Sequence, residues 1–285
     1  MASKPSPTML RRQLGAELRR LRDRTGRTVA DVAHELSWSE SKLSRIETAS
    51  IGIRKLDLER LLGVYGVDGK ELTKLAVLAA QSRQKAWWEA YGDALPDPYE
   101  TYIGFEAEAS SMFIYEAQIV PGLLQTAEYA SAIMQAELAD DRPEIIGPRI
   151  AVRMARQAVL ERDPPPQVCA ILDEDVLRRP IGGHDVLRRQ MLRLVEASGR
   201  PTITIQILPF SVGAHRGLAG SFTVLEFAGV SEPSMVYCDG MTGGVFRSKP
   251  EELRSYVMCF EALRAAALSP KDSVDLISQV ARGDS

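Results

Sequence analysis

The segment TVADVAHELSWSESKLSRIE, residues 28–47, is the most informative stretch in the N-terminal part of the chain. Apolar residues recur at helical spacing over residues 28–36 and again over residues 40–47. A hydroxyl residue that can cap a helix stands before each run, Thr28 in the first case and Ser39 in the second. A serine and a tryptophan separate the two runs. The segment therefore predicts two short helices joined by a sharp turn.

The second of these helices has an apolar side and a polar side. Leu43 and Ile46 point inward at helical spacing. The residues left on the outside are Glu40, Ser41, Lys42, Ser44 and Arg45. Their hydroxyl, carboxylate, ammonium and guanidinium groups are of the kinds that bond base edges and phosphates. The pattern is typical of a helix-turn-helix that reads double-stranded DNA.

Arg45 is the strongest candidate for a base contact in this helix. Its planar guanidinium can bond O6 and N7 of one guanine together. A phosphate or the nearby Glu47 are the alternative partners. A contact to phosphate would contribute affinity that depends on salt rather than on sequence.

Leucines at helical spacing predict one more helix before this segment and two after it. The first runs from Thr8, its expected cap, to about Thr25, and the others span residues 54–65 and 69–80. The five helices together form a compact all-α domain. On its outer side the first helix carries arginines that approach DNA phosphates or form a solvated basic face. They are Arg11, Arg12, Arg19, Arg20, Arg22 and Arg24.

The pattern over residues 8–80 resembles the Xre and lambda-repressor-like family of helix-turn-helix domains, and SESKLSRIE at residues 39–47 is the most specific part of the likeness. The resemblance implies that Glu40, Ser41 and Ser44 face bases. It implies that Thr28, Lys42 and Arg45 hold the DNA backbone or base edges. The complete set of predicted DNA-binding residues is Thr28, Ser39, Glu40, Ser41, Lys42, Ser44 and Arg45.

Three positions depart from what this family commonly shows. Val29 stands where a glutamine often anchors the DNA backbone, and Ser37 replaces a frequent glycine of the turn. Glu40 occupies a position where glutamine is common. A carboxylate there can accept from a cytosine amino group but repels phosphate, so we expect a different sequence preference.

Length and composition are those of an ordinary protein with a sizeable core. The chain has 285 residues, of which 45% are hydrophobic, which predicts two domains. It has no apolar run of membrane-spanning length, and its N-terminus lacks the apolar stretch of a signal peptide. The three cysteines are far apart, which predicts reduced thiols. We expect a cytoplasmic, nucleoid-associated protein without a membrane partner.

Charge is distributed unevenly along the chain. Residues 1–80 contain 15 Lys and Arg against 10 Asp and Glu, a net charge of +5, while the remaining 205 residues contain 20 against 28, a net charge of -8. A basic segment followed by an acidic one favours a domain that binds a polyanion and a second domain that has a different partner.

The remainder of the chain predicts an α+β domain, with helices first and then a small mixed or antiparallel sheet with closing helices. The expected domains are a disordered lead at 1–7, the helix-turn-helix domain at 8–80, a connecting helix and linker at 81–97, and a regulatory and partner-binding domain at 98–285. Its expected helices span residues 102–116, 124–138, 144–162, 173–178, 183–198, 250–268 and 269–281. Its expected strands span residues 168–172, 202–208, 221–227 and 234–238.

From about Trp87 onward the chain resembles the C-terminal domain, of the DUF5753 type, of WhiJ-like regulators of filamentous bacteria. The likeness is carried by segments such as YEAQIVPGLLQTAEYA, RMARQAVLERDPPP and ILPFSVGAHRGLAGSFTVLEF. It implies a transcription regulator whose gene often lies beside one for a small BldB-like protein, in an antitoxin-like arrangement. It implies neither a ligand nor a partner site.

Candidate catalytic groups are few. The acidic run Asp173, Glu174 and Asp175 either binds a divalent cation or opens a helix, and the helix is the stronger interpretation. Arg216, in the glycine-rich loop 213–220, either grips an anion or belongs to a plain connection between strands. The chain has no GxSxG, GxGxxG, P-loop, HExxH or CxxC motif. We predict no catalytic residue, no metal site and no cofactor.

These observations favour a dimeric, sequence-specific DNA-binding regulator whose C-terminal domain binds a small partner protein, because helix-turn-helix domains commonly need paired half-sites. The alternative is a one-component regulator in which the C-terminal domain senses a small-molecule ligand. An enzyme tethered to DNA is the third hypothesis, and nothing in the sequence favours it.

Overall fold

The computed structural model describes residues 7–82, 95, 97–138, 143–228, 234–240 and 243–283. The chain divides into two compact units. Unit 1 contains the described residues of Met1–Ala90 together with Glu100–Glu108, and unit 2 contains those of Tyr91–Tyr99 and Ala109–Ser285. The lead at 1–6 and most of the connecting segment 81–97 lie outside the described residues. The domain boundaries drawn from the sequence therefore stay predictions.

Unit 1 is built from helices packed around one apolar core. Leu18, Val32, Leu43 and Leu61 come from four different helices and are completely buried in it. The five helices predicted from the sequence are confirmed. The bounds are α1 Pro7–Arg24, α2 Val29–Leu36, α3 Glu40–Glu47, α4 Lys55–Val64, α5 Gly69–Gln81 and α6 Asp97–Glu106, of which residues from Glu100 on belong to unit 1.

Helix α1 begins one residue before its expected cap. Thr8 lies inside the helix and is buried rather than capping it. It packs against Gly104 of α6, where an added Cβ would lie 2.2 Å from the Thr8 Oγ1 atom. Thr8 is therefore a packing residue, and only a residue without a side chain fits at position 104.

Unit 2 contains one mixed sheet of six strands in the order β3-β2-β1-β4-β5-β6. Strands β1, β2 and β3 are parallel to one another, and β4, β5 and β6 continue the sheet in antiparallel pairing. The strands are β1 Ser111–Glu116, β2 Gln167–Asp173, β3 Ile203–Leu208, β4 Phe222–Glu226, β5 Met235–Cys238 and β6 Val245–Arg247. The predicted fold class, an all-α domain followed by a domain with a mixed sheet and helices, is confirmed.

Six helices lie in the described part of unit 2. They are α7 Ala127–Leu138, α8 Ile146–Arg156, α9 Asp175–Arg178, α10 His184–Ser198, α11 Pro250–Ala266 and α12 Pro270–Arg282. Of these, α9 to α12 contact the sheet. Proline occupies the first turn of both closing helices, and Ser269 caps α12, as their sequences predict. The expected helix over 144–162 is α8 flanked by 3-10 turns at Pro143–Ile145 and Gln157–Glu161.

One predicted helix is wrong. Residues 102–116 do not form a continuous helix, because α6 ends at Glu106 and Ser111–Glu116 forms the central strand β1. Met112 and Ile114 are buried on one face of the sheet, while Tyr115 is buried on the other. A short segment that is apolar on both faces has no periodicity that separates a strand from a buried helix. The three-residue strand β6 was also not predicted.

Three glutamines fix the turn that follows β1. The side chain of Gln125 donates to the carbonyl of Val120 at 2.6 Å, and that of Gln190 donates to the carbonyl of Leu124 at 2.8 Å. Gln157 donates to the carbonyl of Gln125 at 2.7 Å. These bonds satisfy buried carbonyls that no regular element could satisfy. The PGLLQT motif therefore has a structural role in unit 2.

Candidate DNA-binding interface

Helix α2 starts at a capping box. The Thr28 hydroxyl accepts a hydrogen bond from the Asp31 amide at 3.2 Å, and the Asp31 carboxylate accepts from the Thr28 amide at 2.9 Å. The bonds from Thr28 lower the pKa of Asp31. The side chain of Thr28 therefore caps the start of α2, and it is exposed at the surface.

The turn between α2 and α3 depends on one residue with a left-handed backbone. Ser37 has φ of 56° and ψ of 41°, and its amide donates to the carbonyls of Ala33 and His34. A left-handed conformation costs a residue with a Cβ about 1 kcal/mol or more. Serine tolerates this, so the turn forms without glycine. Ser39 then caps α3 by accepting from the Lys42 amide at 3.1 Å.

Helix α3 exposes four of the five residues predicted on its outer side, and the fifth, Lys42, is half-buried. Leu43 is completely buried and Ile46 is 3% exposed, so both anchor the inner side of the helix in the core of unit 1. The residues of the opposite side are exposed, and they are Ser39, Glu40, Ser41, Ser44 and Arg45. We call this set the outer face of α3. Two serines and one carboxylate beside a guanidinium offer both acceptors and donors to base edges.

Lys42 differs from its neighbours because its charge is turned toward α4. Its Nζ atom donates to the Asp57 carboxylate at 2.9 Å and lies 3.9 Å from the centre of the Trp38 ring. The side chain is half-buried. Lys42 therefore joins the recognition helix to α4 and to the turn, and its predicted contact with DNA stays a prediction.

A buried ion pair fixes the end of α3 against α1. The Glu47 carboxylate accepts from Nε of Arg22 at 2.7 Å and from a second guanidinium nitrogen at 3.0 Å. The same arginine donates to the carbonyl of Arg27 at 3.0 Å. The bond to Glu47 raises the pKa of Arg22. Because Glu47 is engaged in this way, it already has a partner other than Arg45.

Helix α1 approaches the end of α3 closely at a glycine. A Cβ atom at Gly15 would lie 2.6 Å from the carbonyl oxygen of Glu47 and 2.8 Å from that of Ile46. These are backbone atoms, which cannot move aside as a flexible side chain can. Gly15 and the Arg22–Glu47 pair therefore set the position of the recognition helix.

The expectation that all arginines of α1 form one basic outer face is wrong for two of them. Arg12 and Arg22 are 6% and 8% exposed, and Arg12 lies over the ring of Phe105. Arg20 is exposed and bonds Glu17 at 2.7 Å. Alternation of arginine with leucine does not reveal which cations have a buried partner on another helix. That information depends on packing.

The acidic run in unit 2 is satisfied by protein groups. Asp173 accepts from the Asp175 amide at 3.1 Å, and Glu174 accepts from the Phe210 amide at 3.0 Å. Asp175 pairs with Arg179 at 2.7 Å. Within the described residues, no three His, Cys, Asp or Glu side chains are grouped so that they could bind a metal ion. The run thus lies where a strand ends and a short helix begins.

The glycine-rich loop 213–220 contacts the sheet at Gly217, which is buried, while most of its other residues are exposed. A Cβ atom at Gly217 would lie 2.5 Å from the ring of Tyr115. The Gly217 amide donates to Nδ1 of His215 at 3.2 Å, and Nε2 of this histidine lies 3.6 Å from the Asp173 carboxylate. Arg216 is exposed.

The arginines of α8 make contacts within unit 2. Arg156 is 6% exposed, donates to the Tyr99 hydroxyl and stacks on its ring. Arg153 donates to the side chain of Gln125 at 3.1 Å, and its charge favours the ionised form of Glu116. Both arginines are therefore engaged by partners within unit 2.

Glu116, at the end of β1, has a raised pKa. Burial raises its pKa to about 7, and the charge of Asp239 raises it further, while Ser221 and Arg153 oppose the increase. The folded state therefore holds a proton that the unfolded state releases near pH 4.5. The stabilisation that results is complete below that pH and is lost as the pH rises through about 7.

Glu116→Gln is expected to remove this pH dependence. The variant keeps a neutral side chain, so it should be more stable than the parent at pH 8 by about 2 kcal/mol and nearly equal to it at pH 5. Hydrogen exchange of β1 amides at the two pH values measures the difference. The control is Glu137→Gln, which changes an exposed carboxyl of α7. Equal pH profiles for parent and Glu116→Gln would contradict the burial of this acid.

Within the described residues, no helix has the length and apolar character needed to span a membrane. A family model described as a helix-turn-helix domain matches residues 13–75, which contain α2, α3 and α4. A second family model, described as DUF5753, a domain of unknown function, matches residues 99–279. No curated protein matches the chain, and no solved structure matches it.

The two matches confirm the predicted combination of domains. The outer face of α3 lies within the matched helix-turn-helix, and the mixed sheet lies within the second match. The helix-turn-helix makes the protein a DNA-binding regulator, and the match over most of its length shows that the chain belongs to the DUF5753 family.

Proposed function

We propose that the protein is a sequence-specific transcription regulator in which α3 enters the major groove of double-stranded DNA. The observation that carries this proposal is the contrast between the two sides of α3. Leu43, Ile46 and Glu47 hold one side in the core, while the outer face carries only polar and charged groups. Such a helix is held in a fixed position by the core and directs its polar side toward the surface.

The residues of the outer face have different roles in this proposal. Arg45 bonds guanine O6 and N7, and Glu40 accepts from a cytosine amino group. Ser41 and Ser44 add short hydroxyl contacts to base edges. The net charge of +5 over residues 1–80 supplies affinity for phosphates that weakens with salt. Thr28, Ser39 and Lys42 hold the backbone of the DNA or position α3.

Arg45→Ala tests the assignment of base readout. Loss of a bidentate base contact is expected to weaken binding to the specific site by about 10- to 100-fold and to change nonspecific binding far less. The measurement is fluorescence anisotropy with DNA from upstream of the protein's own gene and with a scrambled duplex, each over a range of salt. Lys74→Ala, which removes one charge from α5, is the control. An equal loss on both duplexes would exclude base readout by Arg45.

We also propose that the protein acts as a dimer and that unit 2 binds a small BldB-like partner protein in an antitoxin-like arrangement. The dimer is supported by the affinity that DNA binding requires, since a single helix-turn-helix usually binds one half-site too weakly. The second part rests on the resemblance to WhiJ-like regulators and on the net charge of -8 outside residues 1–80. Co-expression with the product of a neighbouring small gene tests it, and failure to form a complex would count against it. Binding to the chromosome implies a cytoplasmic location at the nucleoid.

A second candidate function is the sensing of a small polar ligand by unit 2. It is favoured by the buried Nε atom of Arg153, which has no hydrogen-bond partner among the described residues and whose charge acts on Glu116. A ligand that bonds both groups would raise the thermal unfolding midpoint of the parent but not of Glu116→Gln. We propose no catalytic activity, because each carboxylate of the Asp173–Asp175 run has a structural partner.

A further inference from the structure

Helix α11 has two sides of opposite character. Its inner side carries Leu253, Phe260 and Leu263, which are at most 7% exposed and pack into a core shared with the sheet. Its outer side should then be polar, as on an ordinary surface helix. Instead Met258, at the centre of the outer side, is 59% exposed, and Val257 next to it is 41% exposed.

The residues around Met258 are small or charged. Ala262 and Ala265 lie one and two turns farther along the same side and are exposed. Arg254 precedes Met258 by one turn and Glu261 follows it by about one turn, and both are exposed. We call the residues Arg254, Met258, Glu261, Ala262 and Ala265 the outer stripe of α11. Small residues at this spacing allow another helix to approach closely.

The charges of the outer stripe on one copy are complementary to those of the same stripe on a second copy. Consider two copies of α11 packed antiparallel about a two-fold axis that passes level with the Val257–Met258 bond. Arg254 of each copy then lies opposite Glu261 of the other, so that one symmetric arrangement makes the ion pair twice. The two Met258 side chains meet at the axis, where each removes apolar surface from water.

The contacts already made by these charges leave room for this pairing. Within the described part of the chain, Arg254 makes no ion pair and no side-chain hydrogen bond. Glu261 bonds Arg264 of its own helix at 2.5 Å, and its side chain remains 48% exposed, so one oxygen can accept from a second arginine. Arg254 and Glu261 are seven residues apart, or about 10 Å along the helix, and do not pair within one copy.

We propose that the outer stripe of α11 is the surface through which two copies of this chain associate. The occupant of the stripe is α11 of a second copy, packed antiparallel, with Met258 at the centre and the Arg254–Glu261 pairs on either side. This inference rests on the dimeric part of the proposed function and gives it a location in unit 2, away from the helix-turn-helix in the sequence.

A charge-exchange cycle tests the proposal. Arg254→Glu and Glu261→Arg each place like charges opposite one another at two symmetric positions, so each should raise the dimer dissociation constant by about 10-fold or more. The double variant restores opposite charges and should return the constant to within about 3-fold of the parent. Sedimentation of the full chain, whose monomer mass is 31.4 kDa, measures the constant.

Three further variants and measurements make the result decisive. Met258→Glu should also abolish association. Lys271→Glu reverses a charge on α12, where the side chain is 83% exposed, and should leave the constant unchanged. Glu261→Arg also removes the contact with Arg264 within α11. Circular dichroism of each variant therefore checks that the helix content is unchanged.

Three outcomes would overturn the proposal. They are a parent chain that is monomeric at about 10 μM, single charge variants that dimerise like the parent, and a double variant that does not recover. Binding of Arg254→Glu to a DNA half-site at high protein concentration is measured in parallel. If Arg254→Glu binds the half-site like the parent but no longer dimerises, the result supports both the DNA-reading function and a dimer interface at α11. If the parent chain itself does not bind the half-site, the proposed DNA readout is wrong, whereas the conclusion about the dimer at α11 is unaffected.

Discussion

Glu47→Leu is expected to destabilise unit 1 by about 3 kcal/mol, because it removes the buried carboxylate that bonds Arg22 and leaves only the exposed Asp23, at 2.9 Å, as a counter-ion. The Glu47 and Arg22 side chains are 5% and 10% exposed, so water cannot replace the lost carboxylate. Arg22→Met should have a cost of similar size for the converse reason. Both losses should appear as faster hydrogen exchange of α1 and α3 amides, which reports on unit 1 alone.

The double variant Arg22→Met/Glu47→Leu measures how much of each loss comes from the interaction between the two side chains. With both charges removed, the apolar replacements can pack together, so the double variant should be more stable than either single variant. Arg20→Met is the control for loss of an arginine from the exposed part of α1, where the side chain is 54% exposed. Additive losses in the double variant would show that Arg22 and Glu47 act independently, which the bidentate geometry contradicts.

Gly15→Ala is expected to cost about 3 kcal/mol and to impair specific DNA binding at the same time. The added methyl group would lie 2.6 Å from a backbone oxygen at the end of α3, so one of the two helices must shift. A shift of the recognition helix changes the positions of its outer face relative to bases. Hydrogen exchange of α1 and α3 measures the stability, and anisotropy with specific and scrambled duplexes measures the binding.

The control for Gly15→Ala is Gly63→Ala in α4. Gly63 is exposed, and an added Cβ atom there would meet nothing within 4 Å. Alanine should therefore stabilise α4 by about 0.5–1 kcal/mol through its higher helix propensity. If Gly15→Ala were as stable as the parent, the close approach of α1 to α3 would be wrong.

The helix-turn-helix could be predicted from local sequence signals alone. The caps at Thr28 and Ser39 are bonds between residues three apart, and Leu43 and Ile46 follow the period of a single helix. Each of these features depends on neighbours in the chain, so each can be recognised without a fold. The closing helices α11 and α12 were predicted for the same reason, since proline at a helix start is a local signal.

The strand β1 and the buried arginines could not be predicted in this way. Ser111–Glu116 becomes a strand because β2 and β4 pair with it on both sides, and those partners are distant in sequence. Arg22 is buried and bonds a carboxylate 25 residues away, whereas Arg20, on the same arginine-rich helix, is 54% exposed and bonds one three residues away. The roles of such residues depend on which surface faces them after folding.

The residue pattern alone predicted the helix-turn-helix, the exposure of Glu40, Ser41, Ser44 and Arg45, and the domain with a mixed sheet and helices that follows. Those properties follow from periodicity, caps and charge along the chain. Three features became visible only in the folded chain: Glu47 and Gly15 hold the recognition helix, Lys42 turns toward Asp57, and Met258 lies on an exposed side of α11. These depend on contacts between residues far apart in sequence, whose energies exist only when the core has brought them together.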